Sequence, residues 1–115
     1  MSLNSEQFEF SRDIATLILW AQAEGYDISL GEAFRTPEQS QLNEDAGVGI
    51  ANSNHTRRLA VDLNLFMDGT YLTETEDHRP LGEYWQTLHP ANVWGGDFQR
   101  RDGNHYSRRY KDYPV

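Results

Sequence analysis

The stretch Ser53–Phe66, SNHTRRLAVDLNLF, begins as a polar loop and ends as an apolar strand. The apolar run at residues 59–66 predicts a strand that is buried on both faces. Asp62 lies inside this strand, where a carboxylate without a positive partner is costly to bury. Arg57 and Arg58 lie just before the strand and can provide that partner, and so can a metal ion.

The segments around this strand predict an α+β fold, in which flanking helices cover a small, mainly antiparallel sheet. Apolar residues recur at helical spacing after Ser5, a candidate N-cap, and Gly25 can end that helix. Thr36 and Pro37 are typical of a second helix start. We predict helices at 5–24, after Thr36, and at 80–88, and strands at 26–30, 59–66, 70–72 and, at the sheet edge, 105–110.

The length of 115 residues predicts one domain, residues 1–115. No apolar run approaches the roughly 20 residues that a membrane-spanning helix needs. The first residues show no secretory signal pattern, so we expect synthesis in the cytoplasm. The chain has no cysteine, which excludes disulfides and thiolate metal sites. A transition-metal site would therefore use histidine and carboxylate ligands.

The net charge of −8 argues against binding to nucleic acid or anionic membranes through overall attraction. Four arginines cluster near the C-terminus of this otherwise acidic chain. We interpret the cluster as a solvated basic face that balances nearby acids. We also expect two histidines in polar, Pro-flanked segments to face solvent. The arginines are Arg100, Arg101, Arg108 and Arg109, and the histidines are His78 and His89.

One set of residues is suited to metal chemistry. His55 comes from the loop before the central strand, Asp62 from within it, and His105 is the best candidate for a third ligand. Two histidines and one carboxylate leave one tetrahedral position open for water, which a catalytic zinc site requires. Asp102, three positions before His105, can serve as general base.

Two sequence patterns surround these candidates. Ser53, His55 and Asp62 form the pattern Ser-x-His followed by six residues and Asp, and Ala60 lies two positions before the Asp. Further along, the turn sequence Trp-Gly-Gly-Asp at 94–97 precedes an acid and a histidine three positions apart. These are Asp102 and His105, and Arg-Thr-Pro-Glu-Gln occurs separately at 35–39.

Together these motifs resemble the zinc D-alanyl-D-alanine carboxypeptidases and their phage relatives, the endolysin-like L-alanyl-D-glutamate endopeptidases. The resemblance touches residues 31–107 and implies a Hedgehog/DD-peptidase-like fold. The sequence departs from the pattern of this family at two positions. Arg58 stands where many members have Gly, and Asp102 stands where the carboxypeptidase branch has Glu. The shorter acid resembles the endopeptidase branch.

The resemblance implies a zinc-dependent metallopeptidase that hydrolyses an amide bond in peptidoglycan stem peptides, of L-Ala-D-Glu or D-Ala-D-Ala type, in cell-wall lysis or remodelling. It implies Asp102 as general base, Arg35 as oxyanion or substrate-carboxylate ligand, and Ser53 as a residue that helps to place the peptide. We expect a monomer that acts in the cell wall or periplasm. The implied Zn²⁺ ligands are His55, Asp62 and His105.

Two other classes of function are considered. A catalytically inactive binding or phage structural module could keep this fold, with zinc only as a stabilising ion. Asp102 and Arg35 beside three ligands favour an enzyme over that module. A nuclease or phosphoesterase could also use a His/Asp metal site, but the acidic chain lacks a phosphate-binding glycine-rich loop.

Overall fold

Three α-helices and five strands form the part of the chain described by the structure, residues 2–115 of a computed structural model. Three short 3₁₀ helices connect them, at Asn54–Arg57, Thr75–His78 and Gly95–Asp97. The helices are α1 (Leu3–Ala23), α2 (Pro37–Asp45) and α3 (Arg79–Leu88), and the strands are β1 (Asp27–Leu30), β2 (Ala60–Met67), β3 (Thr70–Leu72), β4 (Asn92–Trp94) and β5 (His105–Arg108).

The helix starts follow from local capping chemistry. The Thr36 side chain accepts a hydrogen bond from the Gln39 backbone N–H and Pro37 takes the first helical position, which confirms the predicted start of α2. The predicted cap of α1 is wrong. Ser2 caps this helix by accepting from the Ser5 N–H at 3.2 Å, so α1 begins two residues before Ser5.

All strand pairs are antiparallel, and the sheet order is β1-β2-β5-β4, with β3 also paired to β2. The predicted α+β class with an antiparallel sheet is thus confirmed. The prediction of an edge strand near residue 105 is wrong, because β5 lies between β2 and β4 and all four of its residues are buried. The central position of β5 is not evident from the sequence, because His-Tyr-Ser-Arg carries polar side chains. Their hydrogen-bond partners come from other segments of the chain.

Arg108 shows why a polar residue can occupy that central strand. Its guanidinium is fully buried and bonds three carboxylates of helix α1, so Arg108 does not belong to an exposed basic face as predicted. The buried positive charge is thus paired with carboxylates that are partly exposed, so it is not left without a partner inside the fold. The carboxylates belong to Glu6, Glu9 and Asp13.

The core lies between the sheet and helices α1 and α3. Trp85 of α3 and Trp94 of β4 are both fully buried, and the Trp94 indole donates to the Gly103 carbonyl at 2.7 Å. This bond fixes the segment just before β5. No helix among residues 2–115 combines the length and the hydropathy needed to cross a bilayer.

Gly82 is the point where α3 meets the Trp94 ring. A Cβ at this position would overlap the indole atoms, and Trp94 is fully buried and cannot move freely. We expect Gly82→Ala to lower the free energy of unfolding by about 1–3 kcal/mol through overpacking, measured by urea denaturation. Glu83→Ala, at the exposed next position, is the matched control and should change it by less than about 0.5 kcal/mol. Equal stability of both variants would contradict this packing.

Candidate metal centre

The sheet register brings the predicted ligands together. Asp62 of β2 is paired directly opposite His105 of β5. His55 lies on the 3₁₀ helix that precedes β2, and the left-handed turn at Arg58 leads from that helix into the strand. One ligand atom from each of His55, Asp62 and His105 lies within 4.8 Å of the other two, and no other group of this kind occurs among residues 2–115.

The two rings face the same carboxylate oxygen. Asp62 Oδ1 lies 3.4 Å from His55 Nε2 and 3.6 Å from His105 Nδ1. Bonds of about 2.0–2.2 Å at tetrahedral angles would separate zinc ligands by about 3.3–3.6 Å. Asp62 Oδ1 is also buried without a hydrogen bond, an unusual state for a carboxylate. Donor set and spacing therefore fit a metal ion.

The charges of this cluster are coupled. Burial alone would raise the pKa of Asp62, but the His105 and His55 rings outweigh it and lower that pKa to about 2. Burial alone would lower the pKa of His105, whereas Asp62 and the Val115 backbone oxygen raise it overall. Asp62 is thus ionised near neutral pH, which is the form that binds a cation.

His55 is held by its own loop. The Ser53 hydroxyl caps the 3₁₀ helix by accepting from the His55 N–H at 3.2 Å. On the other side of the ring, His55 Nδ1 lies 3.6 Å from Glu32 Oε1. Ser53 lines the same cleft as His55, Asp62 and His105, and its contact with a substrate stays a prediction.

Asp102 lies next to the cluster but outside it. Its Oδ2 is 3.9 Å from His105 Nδ1, and its side chain is 53% exposed. Partial burial raises the pKa of Asp102, the His105 charge opposes the rise, and Asp62 adds to it. The backbone fixes its place, because Asp102 donates to the Gly95 carbonyl at 2.9 Å and its own carbonyl accepts from His105 at 3.1 Å. A carboxylate in this position can accept a proton from a group held next to the three-residue cluster.

Arg35 reaches the same region from the loop after β1. Its backbone N–H donates to the His55 carbonyl at 3.2 Å, and its guanidinium donates to Glu32 Oε1 at 3.0 Å. All six predicted site residues line one cleft of about 450 Å³, together with Gly49, Ile50 and Val115 among others. The six are Arg35, Ser53, His55, Asp62, Asp102 and His105.

Arg57 and Arg58, the alternative partners of Asp62, point elsewhere. Arg57 bonds Asn54 and the Pro114 carbonyl, and Arg58 lies 3.9 Å above the Phe34 ring. Arg58 has φ 56° and ψ 36°, a left-handed conformation that glycine adopts without strain. The cation–π contact offsets part of this cost. This turn, where many members of the family that the sequence resembles have glycine, therefore keeps its left-handed conformation with an arginine.

Sequence reasoning missed three features of the site region. Glu32 was not considered, although an acid three positions before Arg35 is a usable signal for an ion pair. Val115 gave no signal, because its backbone oxygen and not its side chain makes the contacts. His78 was expected to face solvent, but it is 4% exposed and its Nδ1 lies 2.8 Å from the Tyr106 hydroxyl. Burial lowers the pKa of His78 and raises that of Tyr106, so burial favours the neutral form of both groups in this hydrogen-bonded pair.

A His/Asp/His cluster in an antiparallel α+β fold defines a candidate metalloprotein. A family model described as D-alanyl-D-alanine carboxypeptidase matches residues 46–108, more than half of the chain. The chain therefore belongs to the D-alanyl-D-alanine carboxypeptidase family. The matched range contains the three clustered residues and Asp102, while Arg35 lies before it.

Solved structures share the fold. The Serratia marcescens L-Ala D-Glu endopeptidase ChiX superposes with a TM-score of 0.71 at 22% identity, covering 90% of this chain and 84% of ChiX. The second structure is a mutant of the vancomycin-resistance D,D-pentapeptidase VanY from a VanB-type cassette, in complex with Zn(II). It superposes with a TM-score of 0.58 at 21% identity, covering 86% of this chain and 70% of VanY. The comparison with curated protein sequences gave no match.

Proposed function

We propose that this chain is a zinc-dependent peptidase that hydrolyses an amide bond in peptidoglycan stem peptides, of L-Ala-D-Glu or D-Ala-D-Ala type. The observation that carries the proposal is the cluster of His55, Asp62 and His105 beside Asp102 in one cleft. Family membership supports the reaction class. ChiX is named as an L-Ala D-Glu endopeptidase and VanY as a D,D-pentapeptidase, and these two names support the substrate class.

The ligand atoms follow from the distances around Asp62. His55 Nε2 and His105 Nδ1 face Asp62 Oδ1, so these three atoms would hold the ion. Zinc held by these three atoms would act as a Lewis acid and would make water a nucleophile near neutral pH.

Asp102 is the proposed general base. It takes the proton of the attacking water and passes it to the leaving amine as the amide bond breaks. Two features support this role: its carboxylate borders the cluster, and partial burial raises its pKa toward the range where a carboxyl group both accepts and donates a proton. Its partial exposure leaves room for a substrate amide beside it.

Arg35 is the proposed cation of the cleft. Glu32 fixes the guanidinium through Nε, and the Arg35 side chain keeps 15% of its surface exposed toward the cleft. A planar, bidentate donor suits an oxyanion or the carboxylate of a stem peptide. Ser53 supports the site by holding the His55 backbone.

Arg35→Ala tests this role. If the guanidinium stabilises the oxyanion, kcat should fall about 100-fold while zinc content stays normal, because the charge acts mainly in the transition state. If it binds a substrate carboxylate, KM should rise instead. Arg35→Lys should rescue little, since one ammonium cannot replace a bidentate contact. Wild-type values of both constants in Arg35→Ala would make the arginine a structural partner of Glu32 only.

The reaction itself is tested by digesting purified peptidoglycan with zinc-loaded protein and identifying the products by mass spectrometry. New L-Ala and D-Glu termini would identify an endopeptidase, and released terminal D-Ala a carboxypeptidase. Zinc binding without any cleavage would overturn the proposed activity in favour of an inactive, zinc-stabilised binding module. Cleavage of nucleic acid or phosphoesters would place the site in another class.

We further propose that residues 1–115 act as a single catalytic domain and as a monomer. The substrate class implies that it acts where stem peptides are exposed, in the cell wall or periplasm. Size-exclusion chromatography with light scattering should give one chain per particle.

A further inference from the structure

The last residues of the chain return to the metal centre. We call Tyr110–Val115 the C-terminal strap. The backbone oxygen of Val115 accepts two hydrogen bonds, from His105 Nε2 at 2.6 Å and from the Ser107 hydroxyl at 2.9 Å. Val115 also lines the cleft that holds the three clustered residues. The strap thus contacts His105 on the ring edge that faces away from Asp62.

The strap is fastened to the loop that carries the other histidine. Arg57 donates to the Pro114 carbonyl at 3.0 Å, and its guanidinium lies 4.6 Å from the Tyr113 ring centroid. The same guanidinium donates to Asn54 Oδ1 at 2.8 Å, next to His55. One arginine therefore links the strap to the 3₁₀ helix of His55, which limits how far Val115 can move from His105.

The chemistry of this contact fixes a proton. A backbone oxygen only accepts hydrogen bonds, so His105 Nε2 must carry the hydrogen. In the neutral ring the other nitrogen, Nδ1, then has a free lone pair. Nδ1 is the nitrogen that lies 3.6 Å from Asp62 Oδ1, on the metal side. A carboxylate or carbonyl oxygen that binds the far nitrogen of a ligating histidine is a common way to set its tautomer and orientation.

We propose that the C-terminal strap, through the Val115 backbone oxygen, is a positioning element that holds His105 in the Nε2–H tautomer and aims Nδ1 at the metal. This inference rests on the proposed zinc site. It assigns a function to a segment whose side chains give no sign of one. In this role the strap is part of the proposed metal centre.

The tautomer is measured first, on metal-free protein at alkaline pH, by long-range ¹H–¹⁵N NMR of the imidazole nitrogens. The full chain should show His105 with the proton on Nε2. Deletion of Pro114 and Val115 should give a mixture of tautomers, whereas Asp112→Ala, an exposed position in the strap, should match the full chain. An Nδ1–H tautomer in the full chain, or no change on deletion, would overturn the inference whether or not zinc binds.

Zinc affinity is measured next by competition with a chelator. The deletion should weaken zinc binding about 10- to 100-fold, the usual effect of losing an outer partner of a metal ligand. Ser107→Ala, which keeps the strap but removes one of the two donors to Val115, should weaken it less. Circular dichroism and thermal unfolding identify any variant that fails to fold. If the deletion variant fails to fold, Ser107→Ala provides the test of the strap instead.

The result also separates the inference from the proposed function. If the full chain binds no zinc, the proposed function fails and the tautomer alone decides the role of the strap. If deletion leaves zinc affinity unchanged and lowers KM, the strap is an obstruction of the cleft and the inference is wrong.

Discussion

Asp62→Ala is expected to abolish zinc binding and, with it, peptide hydrolysis. Asp62 Oδ1 is the atom that both His55 and His105 face, at 3.4 and 3.6 Å, so its removal leaves two imidazole ligands with no carboxylate between them. Elemental analysis should fall from about one zinc per chain to nearly none, because a catalytic zinc site needs three protein ligands. Isothermal titration with zinc gives the same comparison at equilibrium.

Asp97→Ala is the control for this variant. Asp97 is an exposed carboxylate on the neighbouring 3₁₀ helix, where it accepts from Gln86 and is not in the His/Asp/His cluster. It should keep normal zinc content and activity. If Asp62→Ala bound zinc as the unchanged chain does, the ion would have other ligands, and the proposed ligand set would be wrong.

Asp102→Asn is expected to separate proton transfer from metal binding. The amide keeps the size of the side chain but cannot accept the proton of the attacking water, so turnover should fall by about 100- to 10,000-fold. Zinc content should stay near normal, because Asp102 lies outside the three-residue cluster and is half exposed. Stem-peptide kinetics and elemental analysis on one preparation give both quantities.

Asp102→Glu is the matched variant that keeps the carboxylate. It should recover part of the activity lost in Asp102→Asn, since the longer side chain carries the same base at a shifted position. Loss of zinc in Asp102→Asn would instead make Asp102 a ligand or a structural residue. Retained activity in Asp102→Asn would assign the base to another group.

Local chemistry was readable in the sequence. The apolar run at 59–66 predicted β2, and the strand predicted at 70–72 is β3. The start of α2 followed from Thr36 and Pro37 in the same way. These features depend on neighbours within a few positions, so the order of residue types is enough to predict them.

The position of β5 was not readable. A central strand is normally apolar, but β5 carries Arg108, whose charge is balanced by carboxylates from α1, about a hundred positions away in sequence. His78 was misjudged for the same reason, because its partner is Tyr106 on this strand. Polar residues were read as exposed, and only the long-range pairing shows that they are buried and satisfied.

The sequence by itself determined which residues are candidates for the site, because His55, Asp62, Asp102 and His105 stand in a recognisable order and metal chemistry restricts the choice of ligand types. The tertiary structure decided which atoms meet. Strand register sets Asp62 opposite His105, and the C-terminal strap brings the Val115 oxygen to the His105 ring. Every residue type carries a backbone oxygen, so no pattern of side chains could announce this contact, and only the path of the folded chain placed the oxygen there.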